Sequence, residues 1–174
     1  QSIEVKNSVG FFSRKIDIPN YSFDGDETNT FTEFNYAKNG KKSDWIVGAN
    51  LYTNSFKENT DSTPRNMKQT TIGVFANNTT DLTDKLILET GFRTDYSVDW
   101  GVFPLPRVSL LWKANNKFST RIGGGLGYKI PDIFTEEAAT LNFRYVRPIN
   151  ADNLDAENSF GANLDLNYRT ALTD

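Results

Sequence analysis

Few places in this sequence hold residues that could do chemistry. Gly123-Gly124-Gly125-Leu126-Gly127 has the glycine density of a phosphate-cradling loop. Such a loop ends in Gly-Lys-Ser/Thr and opens a helix, because backbone N–H groups and a helix N-terminus must face the anion together. Neither feature follows here, so the glycines are expected to relieve crowding in a strand. Asp24-Gly25-Asp26-Glu27 gathers carboxylates but lacks the spacing of a calcium loop, and reads as a solvated acidic turn. Glu136-Glu137 imitates a carboxylate pair, but adjacent residues do not face one site. There is no histidine, which removes the commonest general base, the commonest zinc ligand and any Ser-His-Asp arrangement. There is no cysteine, so disulfides and thiolate metal sites are excluded. Asn77-Asn78-Thr79 and Asn78-Thr79-Thr80 fit glycosylation sequons, which arise by chance in a chain rich in Asn and Thr. No catalytic residue, resident metal or cofactor is expected, and the chain reads as a non-enzyme.

The elements that would carry any site are strands. Of 174 residues, 37% are hydrophobic yet 13% are aromatic, and Thr, Tyr, Phe and Val are spread throughout. A net charge of −3 argues against a nucleic-acid partner, which needs a basic face. No run of about 18 apolar residues could form a transmembrane helix. A barrel strand shows lipid only every second residue, so low mean hydropathy does not exclude a membrane protein. Gln1 opens no signal peptide, and both ends read as strand-like or polar sequence; the expectation is a stretch of a longer protein.

Eight strands are expected near 3–17, 28–38, 44–56, 69–79, 85–96, 105–113, 117–128 and 159–169. The connections at 38–43 (with Asn39-Gly40), 80–84 and 114–116 are short, and those at 18–27, 57–68, 97–104 and 129–158 are longer. This is the spacing of an antiparallel up-and-down meander. Alternation gives each strand an apolar and a polar face. In the fifth strand Leu86, Leu88, Thr90, Phe92, Thr94 and Tyr96 oppose Lys85, Ile87, Glu89, Gly91, Arg93 and Asp95. In the seventh, Phe118, Thr120, Ile122, Gly124, Leu126 and Tyr128 oppose Ser119, Arg121, Gly123, Gly125, Gly127 and Lys129. In the last, Phe160, Ala162, Leu164, Leu166 and Tyr168 oppose Gly161, Asn163, Asp165, Asn167 and Arg169. Aromatic residues at both ends of an apolar band suit the two membrane–water interfaces. A soluble β-sandwich also alternates, but its strands are usually five or six residues, not eleven or more. An all-β transmembrane barrel wall is therefore the reading, with a closed eight-stranded barrel of structural or adhesive role and a soluble sandwich binding module as alternatives.

From about Thr70 to Arg169 the chain resembles the barrel of TonB-dependent outer-membrane receptors. The resemblance rests on Thr71–Asn77 with Leu82–Leu88 (strand–turn–strand), on Glu89-Thr90-Gly91-Phe92-Arg93-Thr94-Asp95-Tyr96, and on Pro106-Arg107-Val108-Ser109-Leu110-Leu111-Trp112-Lys113. It continues through Arg121–Pro131 and Leu154-Asp155-Ala156-Glu157, where Asp155 and Ala156 depart from the family's Leu-Lys-Pro-Glu. The first 68 residues share only the alternating texture. The family's barrels have 22 strands around a plug. The resemblance thus implies that 1–174 is part of one such barrel, without plug domain, TonB box or final strand.

It further implies a place in the bacterial outer membrane and a role in TonB-coupled import of a scarce nutrient: a ferric siderophore, haem, cobalamin or another metal complex. The partners implied are outer-membrane lipid and lipopolysaccharide, a small-molecule or metal-chelate ligand, the receptor's own plug and, through it, TonB. The short turns would be periplasmic and the long connections extracellular. Trp100 and Phe103 would then lie in one extracellular loop, and Phe143, Arg144, Tyr145, Arg147 and Asn150 in the longest, at about 129–158. Arginine among aromatics suits an anionic chelate or ring-bearing ligand. Glu89, Arg93, Asp95, Arg107, Arg121, Asp165 and Arg169 would face the lumen, pairing across strands and docking the plug.

Overall fold

The computed structural model describes residues 1–60 and 63–170. Eight strands run in order: β1 (Ser2–Ile18), β2 (Tyr21–Lys38), β3 (Ser43–Glu58), β4 (Met67–Thr83), β5 (Leu86–Ser97), β6 (Gly101–Lys113), β7 (Phe118–Lys129) and β8 (Glu157–Tyr168). Each pairs antiparallel with the next, in the sheet order β1-β2-β3-β4-β5-β6-β7-β8. β1 and β8 each pair on one side only, so among the described residues the sheet is open. The alternative of eight strands closing on themselves is not what forms.

All eight expected strands are present, and the differences lie at their tips. The long connection expected at 18–27 is a two-residue turn, Pro19-Asn20, with Ile18 opposite Tyr21 and Asn20 at φ 62°. Asp24-Gly25-Asp26-Glu27 is not a turn but part of β2. Phe23, Gly25 and Glu27 keep the polar-face period, while Asp24 and Asp26 point outward and both accept hydrogen bonds from Asn59, at 3.2 and 3.1 Å. The loop expected at 97–104 likewise shrinks to a turn closed by Ser97 opposite Gly101, with Asp99 at φ 72° and Gly101 at φ 98°. At the other end β4 runs to Thr83 through a bulge between Asp81 and Thr83. The alternation of connection length is therefore weaker than the sequence suggests. Only 59–66, part of which lies outside the described residues, and 130–156 are long.

Register places chemistry in rows. Lys6, Glu33, Asn50, Gly73, Asp95 and Phe103 stand side by side on the polar face. On the other face Leu51, Ile72, Tyr96 and Val102 form one row, and Leu88, Leu110, Ile122 and Leu164 another. Nothing described packs against this apolar face. Ile72, Val74, Phe92, Val108, Ile122 and Leu164 are each at least half exposed. A sandwich would bury that face under a second sheet, so the soluble alternative fails. Tyr36, Trp45, Trp112 and Tyr168 stand on the apolar face near the short turns, and Tyr96 stands toward the opposite end.

β1 to β4 have 16 to 18 residues, whereas β5 to β8 have 12 or 13. About 9–11 residues cross a bilayer. The outward face of β3 records the limit: Trp45, Val47, Ala49 and Leu51 give way to Thr53, Ser55 and Lys57. The last third of β3 thus lies beyond the apolar belt.

One face assignment fails. Tyr128, expected on the apolar face, turns to the polar one. Its hydroxyl donates to Asp95 Oδ2 at 3.0 Å, and its ring stacks on Phe103 with centroids 3.9 Å apart. The cause lies in β6, whose pairing with β7 stops at Arg107 opposite Gly125. Beyond that point Pro106 and Pro104 have no N–H to offer a neighbour, which frees the upper end of β7 to turn.

Candidate ligand-facing mouth

The end of the sheet opposite the short turns is covered by the β7–β8 connection, 130–156. Its path is set by local rules. Asp132 Oδ1 accepts from the Phe134 N–H at 2.6 Å. Thr135 then caps the short helix α1 (Glu136–Thr140), its side chain accepting from the Ala138 N–H at 3.2 Å. After α1, Asn142, Phe143 and Tyr145 all take left-handed backbone, with φ of 53°, 61° and 64°. Such φ values are rare in residues with a Cβ and persist only where surrounding contacts hold them.

Those contacts centre on Phe143, which is 1% exposed. Its ring stacks on Phe23 at 4.7 Å and meets Phe134 edge-on at 5.7 Å; Phe134 in turn meets Phe56 edge-on at 5.0 Å. Phe23 and Phe56 belong to the polar faces of β2 and β3, above the belt. With Ile133 and Ala138 they make the buried cluster of the described residues. Each fully buried ring contributes about 1.5–3 kcal/mol by apolar burial, plus about 0.5–1.5 for a well-set aromatic pair.

A buried ion pair supports the cluster. Arg65 and Glu58 are 7% and 8% exposed. Arg65 Nε and its backbone N–H both donate to Glu58 Oε2 at 2.8 Å, and Nη2 donates to Oε1. Nη1 donates to the Phe143 carbonyl, and Nη2 also reaches the Tyr21 hydroxyl at 3.4 Å. The guanidinium lies 5.3 Å above the Phe23 ring. Arg65 therefore ties a connection 78 residues further along the chain to the tips of β2 and β3. Burial pushes the Glu58 carboxyl up, but the hydrogen bonds and charge of Arg65 outweigh it and hold the group below its ordinary value. Hydrogen bonding to Glu58 raises Arg65 further.

The five residues singled out for recognition are placed as follows. Trp100 sits in the β5–β6 turn and lines a cavity of about 210 Å³ with Asn54, Gln69, Asp132 and Asn150. Phe103 is not in a loop; it belongs to β6 and lies buried beneath Tyr128. Arg144 holds its guanidinium 5.1 Å over the Tyr21 ring and donates to the Pro19 carbonyl at 3.3 Å. Tyr145 is 91% exposed. With Arg147 and Tyr21 it borders an open cavity of about 810 Å³ above Arg65 and Glu58. Arg144, Tyr145 and Arg147 thus gather at one mouth, with Trp100 at a neighbouring cavity and Phe103 beneath the surface. Sequence reasoning missed Tyr21, Phe23, Phe56, Glu58 and Arg65. A signal existed for the two phenylalanines, since aromatic rings on an otherwise polar face must find a cover.

The charged residues of the polar face form a chain of contacts. Arg93 Nε donates to Asp95 Oδ1 at 2.7 Å, and its Nη2 reaches Asn50 across β4 at 3.3 Å. Arg121 pairs with Glu89 across β6 at 3.3 Å and stands opposite Asp165. Arg107 lies beside Gly91, where an added Cβ would come within 2.6 Å of its Nε. Arg169 follows β8, its N–H donating to the Lys117 carbonyl at 2.7 Å.

An open meander with a polar inner face and an exposed apolar outer one is the wall of a membrane β-barrel. Residues 4–173 match the family model described as TonB dependent receptor-like, beta-barrel, and the chain belongs to that family of outer-membrane transport receptors. No curated protein matches it. Among solved structures, the siderophore receptor PirA from Pseudomonas aeruginosa superposes with a TM-score of 0.70 at 18% identity, over 96% of this chain and 32% of that one. The copper transporter OprC gives 0.63 at 12% identity, over 97% and 33%. The ferric enterobactin receptor PfeA of Pseudomonas aeruginosa, as its G324V mutant, gives 0.53 at 14% identity, over 74% and 22%. At these identities the likeness is one of fold. The chain spans about a third or less of the length of each of these structures.

Proposed function

We propose that this chain supplies wall and mouth to an outer-membrane receptor that imports a scarce nutrient by TonB-coupled transport. A ferric siderophore, haem, cobalamin or another metal complex is the class of cargo. The observation that carries the reading is the contrast between the two faces and the mouth above them. Lipid takes the exposed apolar face, with lipopolysaccharide around the strand tips. The polar face, with Glu89, Arg93, Asp95, Arg107, Arg121, Asp165 and Arg169, lines the lumen and docks the receptor's own plug, through which TonB acts. The connection 130–156 is extracellular and presents Arg144, Tyr145 and Arg147 to an anionic or ring-bearing chelate. Trp100 borders its path, and Phe103 supports it from below through Tyr128.

The names of the similar structures, a siderophore receptor and a copper transporter, agree with cargo of this class. The test is uptake by cells whose other receptors for such cargo are deleted and which express the full-length receptor. Radiolabelled ferric siderophores, haem, cobalamin and copper chelates are offered one at a time. Uptake of one, lost in an Arg144→Ala/Tyr145→Ala/Arg147→Ala variant that still assembles, supports the reading. No uptake of any, with the receptor assembled, refutes it.

A further inference from the structure

We infer that the short-turn end of the sheet holds a docking site for an acidic polypeptide segment. The chain is net acidic, yet that end is basic. Around the turns 38–44, 81–85 and 113–117 and at Arg169 stand seven cations, Lys38, Lys41, Lys42, Lys85, Lys113, Lys117 and Arg169, against three carboxylates, Asp44, Asp81 and Asp84. Four of the cations, Lys85, Lys113, Lys117 and Arg169, converge on one cavity of about 370 Å³ with a single carboxylate, Asp84. All four are exposed. Among the described residues none of the four takes part in an ion pair. On the polar face further up the sheet, by contrast, Arg93 and Arg121 each have a carboxylate partner.

Like charges gathered without counterions repel one another, and an anionic partner relieves that repulsion on binding. The position of the cavity decides between kinds of anion. Ser119 and Asn167 line it from the polar faces of β7 and β8, with Arg169 just beyond β8 and Phe118 at its edge, whereas Trp112 and Tyr168, the other aromatic residues of this end, stand on the apolar face and do not line it. A lipid phosphate would sit outside, beside those rings. Most of the cavity's lining comes instead from the polar side of the sheet and from the short turns. An extended carboxylate-rich peptide entering from that side can reach all four cations, and Asn115, Asn116 and Asn167 offer it amide hydrogen bonds.

The experiment uses the full-length receptor in nanodiscs of zwitterionic lipid. A fluorescein-labelled peptide of alternating Glu and Gly is titrated by fluorescence anisotropy, beside its Gln-for-Glu counterpart. The Glu peptide should bind, the Gln peptide should not, and affinity should fall steeply with added salt. Lys113→Gln/Lys117→Gln/Arg169→Gln should weaken binding about tenfold or more, whereas Lys15→Gln/Lys57→Gln/Lys68→Gln at the far end should not. Unchanged affinity in the first variant, or no binding of the Glu peptide at all, overturns the inference. So does preference for inorganic phosphate, or a variant whose only effect is on the capture of phosphatidylglycerol, either of which assigns the cavity to a phosphate group. Failure here leaves the uptake assay unaffected, so the import reading stands or falls separately.

Discussion

Replacing Arg65 by methionine should loosen the mouth without disturbing the wall. The substitution keeps an unbranched stem of similar length over Phe23 and removes the guanidinium. Glu58, 8% exposed, then retains only the Arg65 backbone N–H as a donor from that residue, and the Phe143 carbonyl loses its partner. Breaking a buried ion pair by removing one member costs about 3–5 kcal/mol. This pair lies at a strand tip beyond the apolar belt, where water can reach it on opening, so about 3 kcal/mol is the appropriate figure. At about 1.4 kcal/mol per factor of ten, open forms of 130–156 should become about a hundredfold more populated. Hydrogen exchange of the full-length receptor in detergent reads this directly. The amides of Phe143 and Leu141, bonded to the carbonyls of Ala138 and Glu137 at 2.7 and 3.2 Å, are the reporters. Adding Glu58→Gln to Arg65→Met removes the stranded charge and should recover most of the loss. If Arg65→Met leaves exchange within about twofold, or if the double variant exchanges as fast as the single, the ion pair does not hold the connection.

Acidification should act on the same tie. The carboxyl of Glu58 is held below its ordinary value of 4.5, so its contribution is complete above that pH and is lost as pH falls through the lowered value. Protection of the Phe143 amide, corrected for the intrinsic pH dependence of exchange, should therefore fall in acid in the native protein and change little in Glu58→Gln. On the wall, Leu88→Arg should impair membrane assembly, at a cost of about 2–4 kcal/mol if its depth is near the mid-plane. Ile87→Arg, on the polar face opposite Asp81 and Leu111, should be better tolerated; equal heat-modifiable gel shifts for the two variants would count against the assigned faces. Gly73→Ala should destabilise by about 1–3 kcal/mol, since the new Cβ would meet Asp95 Oδ1 at 2.5 Å and Asn50 Oδ1 at 2.7 Å, as urea unfolding in vesicles would show. Tyr128→Phe deletes the donor to an Asp95 that is 3% exposed and should cost about 1–2 kcal/mol by the same measurement.

The wall was legible in the sequence because each strand repeats one local rule. Alternation located all eight strands and the polar-face position of Glu89, Arg93, Asp95, Arg107, Arg121 and Asp165. It failed where local signals conflict. Asp24-Gly25-Asp26 has turn chemistry, yet it sits in a strand because Asn59 satisfies its outward carboxylates and the face pattern continues through it. Pro104 reads as the end of a loop, yet it stands in β6, where the β7 side carries no pairing beyond Arg107. The mouth was barely legible. Its ties join β2 and β3 to a connection more than seventy residues later, and no periodicity records that Arg65 meets Phe143. Three consecutive-region residues in left-handed backbone, Asn142, Phe143 and Tyr145, are not glycines and carry no mark of it.

The unequal strand lengths have a directional consequence. β1 to β4 exceed β5 to β8 by about five residues on average, roughly 16 Å of extended chain before any tilt. The rim is therefore a parapet on one flank and a sill on the other, and 130–156 leans from the sill onto the parapet. On this part of the wall the taller strands β2 and β3 carry the buried cluster that holds 130–156, while the two ends of the connection rise from the shorter β7 and β8.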